Sequence, residues 1–500
     1  MIRNLAYLVF VAIIISLSSC RNDFDFQPST GGLEFSRDTI YLDTVFTNIG
    51  SSTYTLKVFN NSSNNVSIPN LALAKGLNSK YRMTVDGMQG NEGKIFNNVE
   101  LLAKDSMYIF IETTADIADA NPTDFLYTDQ IQFGAGSNLQ TVELVTLIQD
   151  AVFLYPHKNG SVTESIPFGE DEIYGFFLDE NDAVNGNEYN WTNTKPYVVY
   201  GYAGVDSGKT LTIDPGARVH FHESSGILVA NGGSIKANGT LNNQIIFEGD
   251  RLEPGFAETP GQWGAIWMTP GSTGNEFNYV TVKNSIIGLW IQNSDAVVNN
   301  TQIYNSSNFG IYGQTATITG ENVVVNSAGQ VTVACTLGGS YSFKHSTFNN
   351  NWPSSKQVSL LIDNYYISDN QEIAYDLVEA KFDNCIIYGS NQVQFLANRA
   401  SAGNIFNYQL NNCLLKFNNV GNQFATNPDY QFNDGIHYNN ITLNQNPQFY
   451  NVAKNKLNIK ETSSAIGLGS TNFLVPLDIL GVNRTIPPDL GAYQNAAIPE

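Results

Sequence analysis

Positive charge is scarce in this chain. Only 25 of its 500 residues are Lys or Arg, against 46 Asp and Glu, which leaves a formal net charge of -21. Binding to phosphates needs clustered basic side chains, so nucleic acid is excluded as a partner, and adsorption to anionic lipid through side chains is disfavoured for the same reason. Cysteine is scarcer still, at four residues. With Cys20 assigned to an anchor below, Cys335, Cys385 and Cys413 form an odd set, which argues against a disulfide framework. No CxxC spacing or His-rich stretch accompanies them, so a metal centre is not indicated. Cys385 in DNCIIYG and Cys413 in NNCLLKF share a local pattern, which reads either as one buried column of thiols on successive coils or as a disulfide. Apolar runs long enough to cross a bilayer are also missing: Leu5 to Leu17 spans thirteen residues, short of the ~20 that a membrane helix needs.

That short apolar run follows Arg3 and ends in Leu17-Ser18-Ser19-Cys20, which resembles a bacterial lipobox. Residues 1–19 are therefore expected to be a signal peptide, with Cys20 lipidated and the mature protein held to a membrane by its acyl group. Residues 20–32 then form the lipidated cysteine and a polar tether.

What the chain does have is apolar residues (42%), few charges (14%) and abundant Gly, Asn and Tyr, which favour strands and turns and allow a large core. From residue 33 to 150, short alternating runs such as TIYLDTVF, YTLKVFN and MYIFIET are broken by Asn, Ser and Gly turns, as in an antiparallel, Ig-like β-sandwich. Residues 151–195 read as a connecting segment and cap. From 196 to 465 the organisation changes: Asn284-Ser285, Asn305-Ser306 and Asn326-Ser327 recur at intervals of twenty-one residues, and Asn349 continues the series. One β-run, one polar corner and a further β-run per repeat fit a stacked coil of parallel strands, with the corner asparagines pairing as a ladder. The fold class expected is thus all-β, a sandwich followed by a right-handed parallel β-helix. Interruptions at 250–264 and 351–380 are expected to project as loops, where partners bind, and 466–500 reads as a C-terminal cap.

Several side chains are candidates for chemistry. Glu248, Asp250, Arg251, Glu253 and Glu258 put four acids and one base at the first excursion, either as oxygen ligands for Ca²⁺ or as a solvated, ion-paired loop over Trp263 and Trp267. His220 and His222 flank Phe221 and point to one face of a strand. They are metal ligands lacking a third partner, or ring neighbours. Tyr197, Tyr200 and Tyr202, and Tyr365 with Tyr366, are either a sugar platform or core and cap residues.

The lipobox, the LEFSRDTIYLDTVFTNIGSSTYTLKVFN opening, the TVDGMQG turn and FEGDRLEPGFAETPGQWGAIWM together resemble the right-handed parallel β-helix lipoproteins of Bacteroidota outer membranes. In ETSSAIGLGSTNFLVPLDILGVNRTIPPDLGAYQ, residues Asp478, Gly481, Arg484, Asp489, Gly491, Ala492 and Tyr493 match the closing segment of many β-helix proteins. The resemblance implies an outer-membrane location, with the cell-surface and periplasmic faces both open. It also makes Thr39, Thr44 and Ser106, each within an Asp-Ser/Thr-aliphatic triplet, candidates for O-glycosylation of the kind used in that phylum. The polygalacturonase-type NTD, DD and GHG motifs, which carry paired carboxylates, are absent from the sequence. The expectation is a non-enzymatic lipoprotein, without cofactor, that docks to outer-membrane proteins or other lipoproteins, as an accessory subunit of a β-barrel assembly machine or a nutrient transporter. The alternative is a β-helix that binds or cleaves polysaccharide.

Overall fold

The computed structural model describes residues 24–401 and 403–495, so the expected signal peptide and Cys20 lie outside the described residues. It contains strands and short 3₁₀ turns and, among the described residues, no α-helix. No helix among them is long and apolar enough to cross a membrane. The chain divides into two units, one ending at Asp150 and one beginning at Ala151.

The first unit is an Ig-like sandwich of two sheets. Strand alternation builds its core: in Asp105–Thr113, Met107, Ile109 and Ile111 point inward while Tyr108 and Phe110 face solvent. The sheet is not purely antiparallel as expected. Thr39–Phe46 pairs parallel with Gln140–Gln149, with one irregularity between Val145 and Leu147, because the unit's first long strand lies beside its last one. The tether is also shorter than expected, since Gln27–Pro28 already pairs parallel with Val66 and Ser67.

The second unit is a parallel β-helix with three faces. Eleven strands stack as the first face, running from Val152–Leu154 and Tyr197–Val199 to Leu414–Leu415 and Thr442–Leu443. The second face carries Tyr202–Val205, Gly226–Val229, Trp263–Met268 and Ser285–Gln292, and the third carries Thr210–Ile213, Ser234–Asn238, Asn275–Asn278 and Asp295–Asn299. Phe309–Glu321 and Val331–Lys344 run from the second face into the third without a break. Inward side chains form continuous apolar columns, such as Val219, Phe247 and Val282, all fully buried. Each such side chain contributes about 1.5–3 kcal/mol by leaving water, and each rung buries its share only against the rungs on either side.

The third-to-first corner explains the asparagines. Tyr279, Asn300, Asn322, His345, Asn384, Asn412 and Asn440 stand there in succession, all left-handed, with φ between 45° and 56°. Asn adopts this conformation most readily of the non-glycine residues. Side-chain amides link the corner from rung to rung: Asn300 Nδ2 donates to Asn278 Oδ1 (2.9 Å) and Asn322 Nδ2 to Asn300 Oδ1 (3.0 Å). The ladder expected through Asn284, Asn305, Asn326 and Asn349 is split instead. Asn305 donates to Asn284 (3.3 Å) and Asn349 to Asn326 (2.7 Å), but Asn326 is in register with Tyr304 rather than Asn305. Asn455, from far along the chain, fills the break by accepting from Asn326 (2.7 Å) and donating to Asn305 (3.4 Å).

Three expected boundaries are corrected. The coil begins at Val152, not 196, because a hairpin, Ser165–Phe168 with Asp171–Phe177, and further loops lengthen the first rung and hide its repeat. The interruption at 351–380 contains a rung strand, Val358–Asp363, which pairs with Val331–Lys344 and Phe395–Asn398, and Leu377–Asp383 resumes the third face. What projects is the hairpin Tyr365–Ser368/Gln371–Ala374. The last rung strand is Thr442–Leu443, and the closing segment does not sit on the coil's end. From Phe449 onward it lies along the outside of the first face, where Phe449, Leu457, Ile479, Leu490 and Ala492 cover Val324, Ile386 and Leu414.

Candidate functional site

The first-face strands Arg218–Phe221, Ile245–Gly249 and Val280–Lys283 are neighbours in register, so residues of like orientation form rows across the rungs. Val219, Phe221 and Phe247 point into the core, and the alternate positions point outward. His220 stands opposite Glu248, with Nδ1 3.7 Å from its carboxylate, and Glu248 in turn holds Lys283 Nζ at 2.7 Å. One step further along the strands, His222 Nδ1 lies 2.7 Å from Asp250 Oδ2. The backbone keeps that step in register, since Asp250 N–H donates to the Phe221 carbonyl at 3.0 Å. Tyr200 packs its ring 4.5 Å from the His222 ring, and burial, with the charge of Asp250 in support, pushes its phenol up to about 12.

The two histidines are differently placed. His220 is 2% exposed, and burial lowers its pKa against the opposing pull of Glu248, so it stays neutral at physiological pH. His222 is half-exposed (49%) while its partner Asp250 is largely covered (11%). A carboxylate bonded to one ring nitrogen fixes the imidazole's orientation and tautomer, and the half-exposed ring stays within reach of a ligand, the arrangement of a positioned hydrogen-bonding group.

The five residues of the expected Ca²⁺ loop do not converge. Glu248 and Asp250 are taken by the pairs above. Arg251 forms an ion pair with Glu253 (3.0 Å), its guanidinium 3.9 Å over the Phe256 ring. Glu258 turns away and accepts from Asn305 Nδ2 (2.7 Å) and Asn455 Nδ2 (3.0 Å). Among the described residues no group of three or more His, Cys, Asp or Glu is arranged to hold a metal ion. The Ca²⁺ reading is thereby corrected: the loop's acids are neutralised or hydrogen-bonded one at a time. Lys283 is the member that sequence reasoning missed. No sequence signal marked it: the shared interval of twenty-eight residues from His220 to Glu248 and from His222 to Asp250 follows from both pairs facing across the same two rungs.

The other candidates are dispersed. Trp263 is fully buried and donates Nε1–H to the Lys283 carbonyl (2.9 Å), which fastens that strand beneath the site. Tyr197 is a core residue stacked on Trp191. Thr39, Thr44 and Ser106 are half-buried on strands of the first unit. Cys335, Cys385 and Cys413 are buried and free. Cys385 and Cys413 occupy one column, and burial raises the Cys385 thiol well above its ordinary range.

Residues 184–289 match the family described as pectate-lyase-like β-helix domain. His220, His222, Glu248, Asp250 and Lys283 all fall inside that stretch. No curated protein matches the chain. Among solved structures, the ASH/PapD-like domain of human CEP192 is 13% identical over 27% of this chain and 96% of that one, with a TM-score of 0.16. A family 123 glycoside hydrolase from Clostridium perfringens is 11% identical over 25% of this chain and 30% of that one, with a TM-score of 0.17.

Proposed function

We propose that this protein is a polysaccharide-binding β-helix protein that takes a glycan chain across the first face at His222 and Asp250, from an outer membrane to which acylated Cys20 holds it. One observation carries this reading. The stretch that matches the pectate-lyase-like β-helix family contains the coil's row of facing His–carboxylate pairs. The glycan is a neutral one. The cations at the site are already paired, Lys283 by Glu248 and Arg251 by Glu253, and a chain with net charge -21 repels polyuronates. Half-exposed His222 supplies a hydrogen bond to a sugar hydroxyl and, held by Asp250, a group able to move a proton during glycan cleavage.

Affinity electrophoresis of the purified protein through gels carrying neutral or acidic polysaccharides tests this. Retardation by a neutral glycan is expected, reduced about tenfold or more in affinity by His222→Ala through loss of a hydrogen bond to a charged or polarised group. Absence of retardation in every gel, or equal retardation of the variant, overturns it.

A second reading is docking, as an accessory lipoprotein of an outer-membrane machine such as the β-barrel assembly complex or a nutrient transporter. It is supported by an apolar row on the outside of the second face, in which half-buried Trp290, Tyr312, Leu361 and Leu396 follow one another around buried Ala334, while the row's start, Leu228 and Trp267, is buried against Ile166 and Phe168. Trp267 and Trp290 stack plane to plane at 4.3 Å, which takes one face of each ring, while Phe168 packs on Trp267 at 4.7 Å and Tyr312 stacks on Trp290 at 6.0 Å. A stoichiometric outer-membrane barrel co-purifying with the tagged protein in mild detergent supports this reading, and a lone monomer refutes it.

A further inference from the structure

Outside the family-matched residues, the hairpin Tyr365–Ser368/Gln371–Ala374 stands off the corner after Val358–Asp363 and walls a cleft of about 430 Å³. Phe309, Tyr312 and Leu361 line it from the second face, and Tyr365 and Tyr366 from the hairpin. The aromatic side is held in place. The Phe309 and Tyr312 rings stack at 4.3 Å, Trp290 Nε1–H donates to Gln314 Oε1 (2.8 Å), and Gln314 Nε2–H donates to the Tyr312 hydroxyl (2.9 Å).

Asp363 is the charged group of this cleft, and among the described lining residues there is no Lys, Arg or His. Its carboxylate accepts the Leu337 N–H at 2.9 Å. Burial raises the carboxyl to about 6, with that hydrogen bond opposing the rise. The other titratable groups around it are Tyr312, Tyr341 and Cys335, all pushed upward and so neutral, together with Tyr365 and Tyr366. At neutral pH the cleft therefore holds one ionised, half-buried carboxylate without a counter-cation among the residues that line it. Burying an uncompensated charge is costly, and a cation from outside relieves that cost.

We propose that this cleft binds an organic ammonium ion, its nitrogen against Asp363 and its carbon body among Phe309, Tyr312, Tyr365 and Tyr366. Tyrosine and phenylalanine rings attract cations through their faces, and the net charge of -21 raises the local concentration of any cationic ligand. The inference is independent of the glycan site, since it uses different rungs and a different face.

Isothermal titration of the mature full-length chain with benzylammonium, and with benzyl alcohol as the neutral probe of similar shape, tests it. At pH 7.5 benzylammonium is expected to bind about tenfold or more tightly than the alcohol, as a charge-assisted hydrogen bond requires. Asp363→Asn keeps an acceptor for Leu337 and should erase that difference, and lowering the pH to 5 should weaken benzylammonium binding in the native chain. Tyr366→Ala, at an exposed hairpin position, should weaken benzylammonium with Asp363 intact. Equal affinity for the two probes, no measurable binding of benzylammonium, or undiminished binding by a folded D363N protein overturns the proposal.

Discussion

At the scale of single residues, His345 is the exception in the left-handed corner. It stands where neighbouring rungs use Asn322 and Asn384, it is fully buried, and Asn384 Nδ2 lies 2.9 Å from its Nε2. Burial, reinforced by the positive charge of Arg484, lowers its pKa from 6.5 to about 3. A base with a depressed pKa binds fewer protons in the folded chain than in the unfolded one, so its contribution to stability is intact above pH 6.5 and is lost as pH falls toward 3. His345→Asn should therefore flatten the acid limb. Relative to the native chain it should gain about 2 kcal/mol at pH 4.5. Near pH 7.5, where the native imidazole is neutral and hydrogen-bonded, it should change stability by about 1 kcal/mol or less. Urea unfolding at the two pH values measures both, and an unchanged difference between them would show that His345 is not what acid attacks.

At the scale of elements, the closing segment does what no rung does: it covers the outside of the first face. Its attachment depends on close backbone approach. Gly491 has φ +84°, its N–H donates to the Asn384 carbonyl (2.8 Å), and a Cβ there would stand 2.6 Å from Thr347 Oγ1 and 2.7 Å from the Ile386 side chain. Ala492 N–H then donates to Thr347 Oγ1 (3.0 Å), and Arg484 Nη2–H to Asn322 Oδ1 (2.7 Å). Gly491→Ala should cost about 2 kcal/mol or more from overpacking and the left-handed backbone. It should also free the segment for early proteolysis, because Val324, Ile386 and Leu414 lose their cover. Limited digestion followed by mass spectrometry reads the cleavage, and thermal melting reads the cost. An unshifted melting temperature would mean that the segment is held elsewhere.

The elements also mark how far the sequence could be read. Alternation in MYIFIET gives the direction of Met107, Ile109 and Ile111 correctly, because one buried face makes a strand's register visible. The recurrence of Asn-Ser reveals a stacked coil, because each rung repeats the same corner. It does not reveal the broken ladder, since the strand Gln302–Ser306 pairs one residue out of step with the asparagines. Nor did the first rung announce itself, because its hairpin dilutes the repeat. At the candidate site, Glu248 and Asp250 were legible as acids near a loop. Their pairing with His220 and His222 was not, because partners twenty-eight residues apart meet only after the coil has closed a full turn.

At the scale of the whole molecule, the two units have separate cores, one built on residues such as Leu56, Ile109 and Leu144 and the other on the columns of the coil. Calorimetry of the chain should therefore resolve two transitions, and residues 24–150 and 151–495 expressed separately should each melt cooperatively, the usual behaviour of independent cores. One merged transition, with either piece unfolded alone, would refute that independence.

The amino-acid sequence by itself determined the all-β class, the end of the sandwich near residue 150, the acidic character and the repeated Asn corner, because these follow from local alternation, turn chemistry and period. Only the tertiary structure decided which acids meet which histidines, that Glu258 serves the Asn corner and not a metal, and that the last residues wrap a face and do not close an end. Those outcomes depend on which rungs become neighbours and on how each strand is registered against the next, and contacts across a full turn of the coil leave no mark on the residues beside them in the chain.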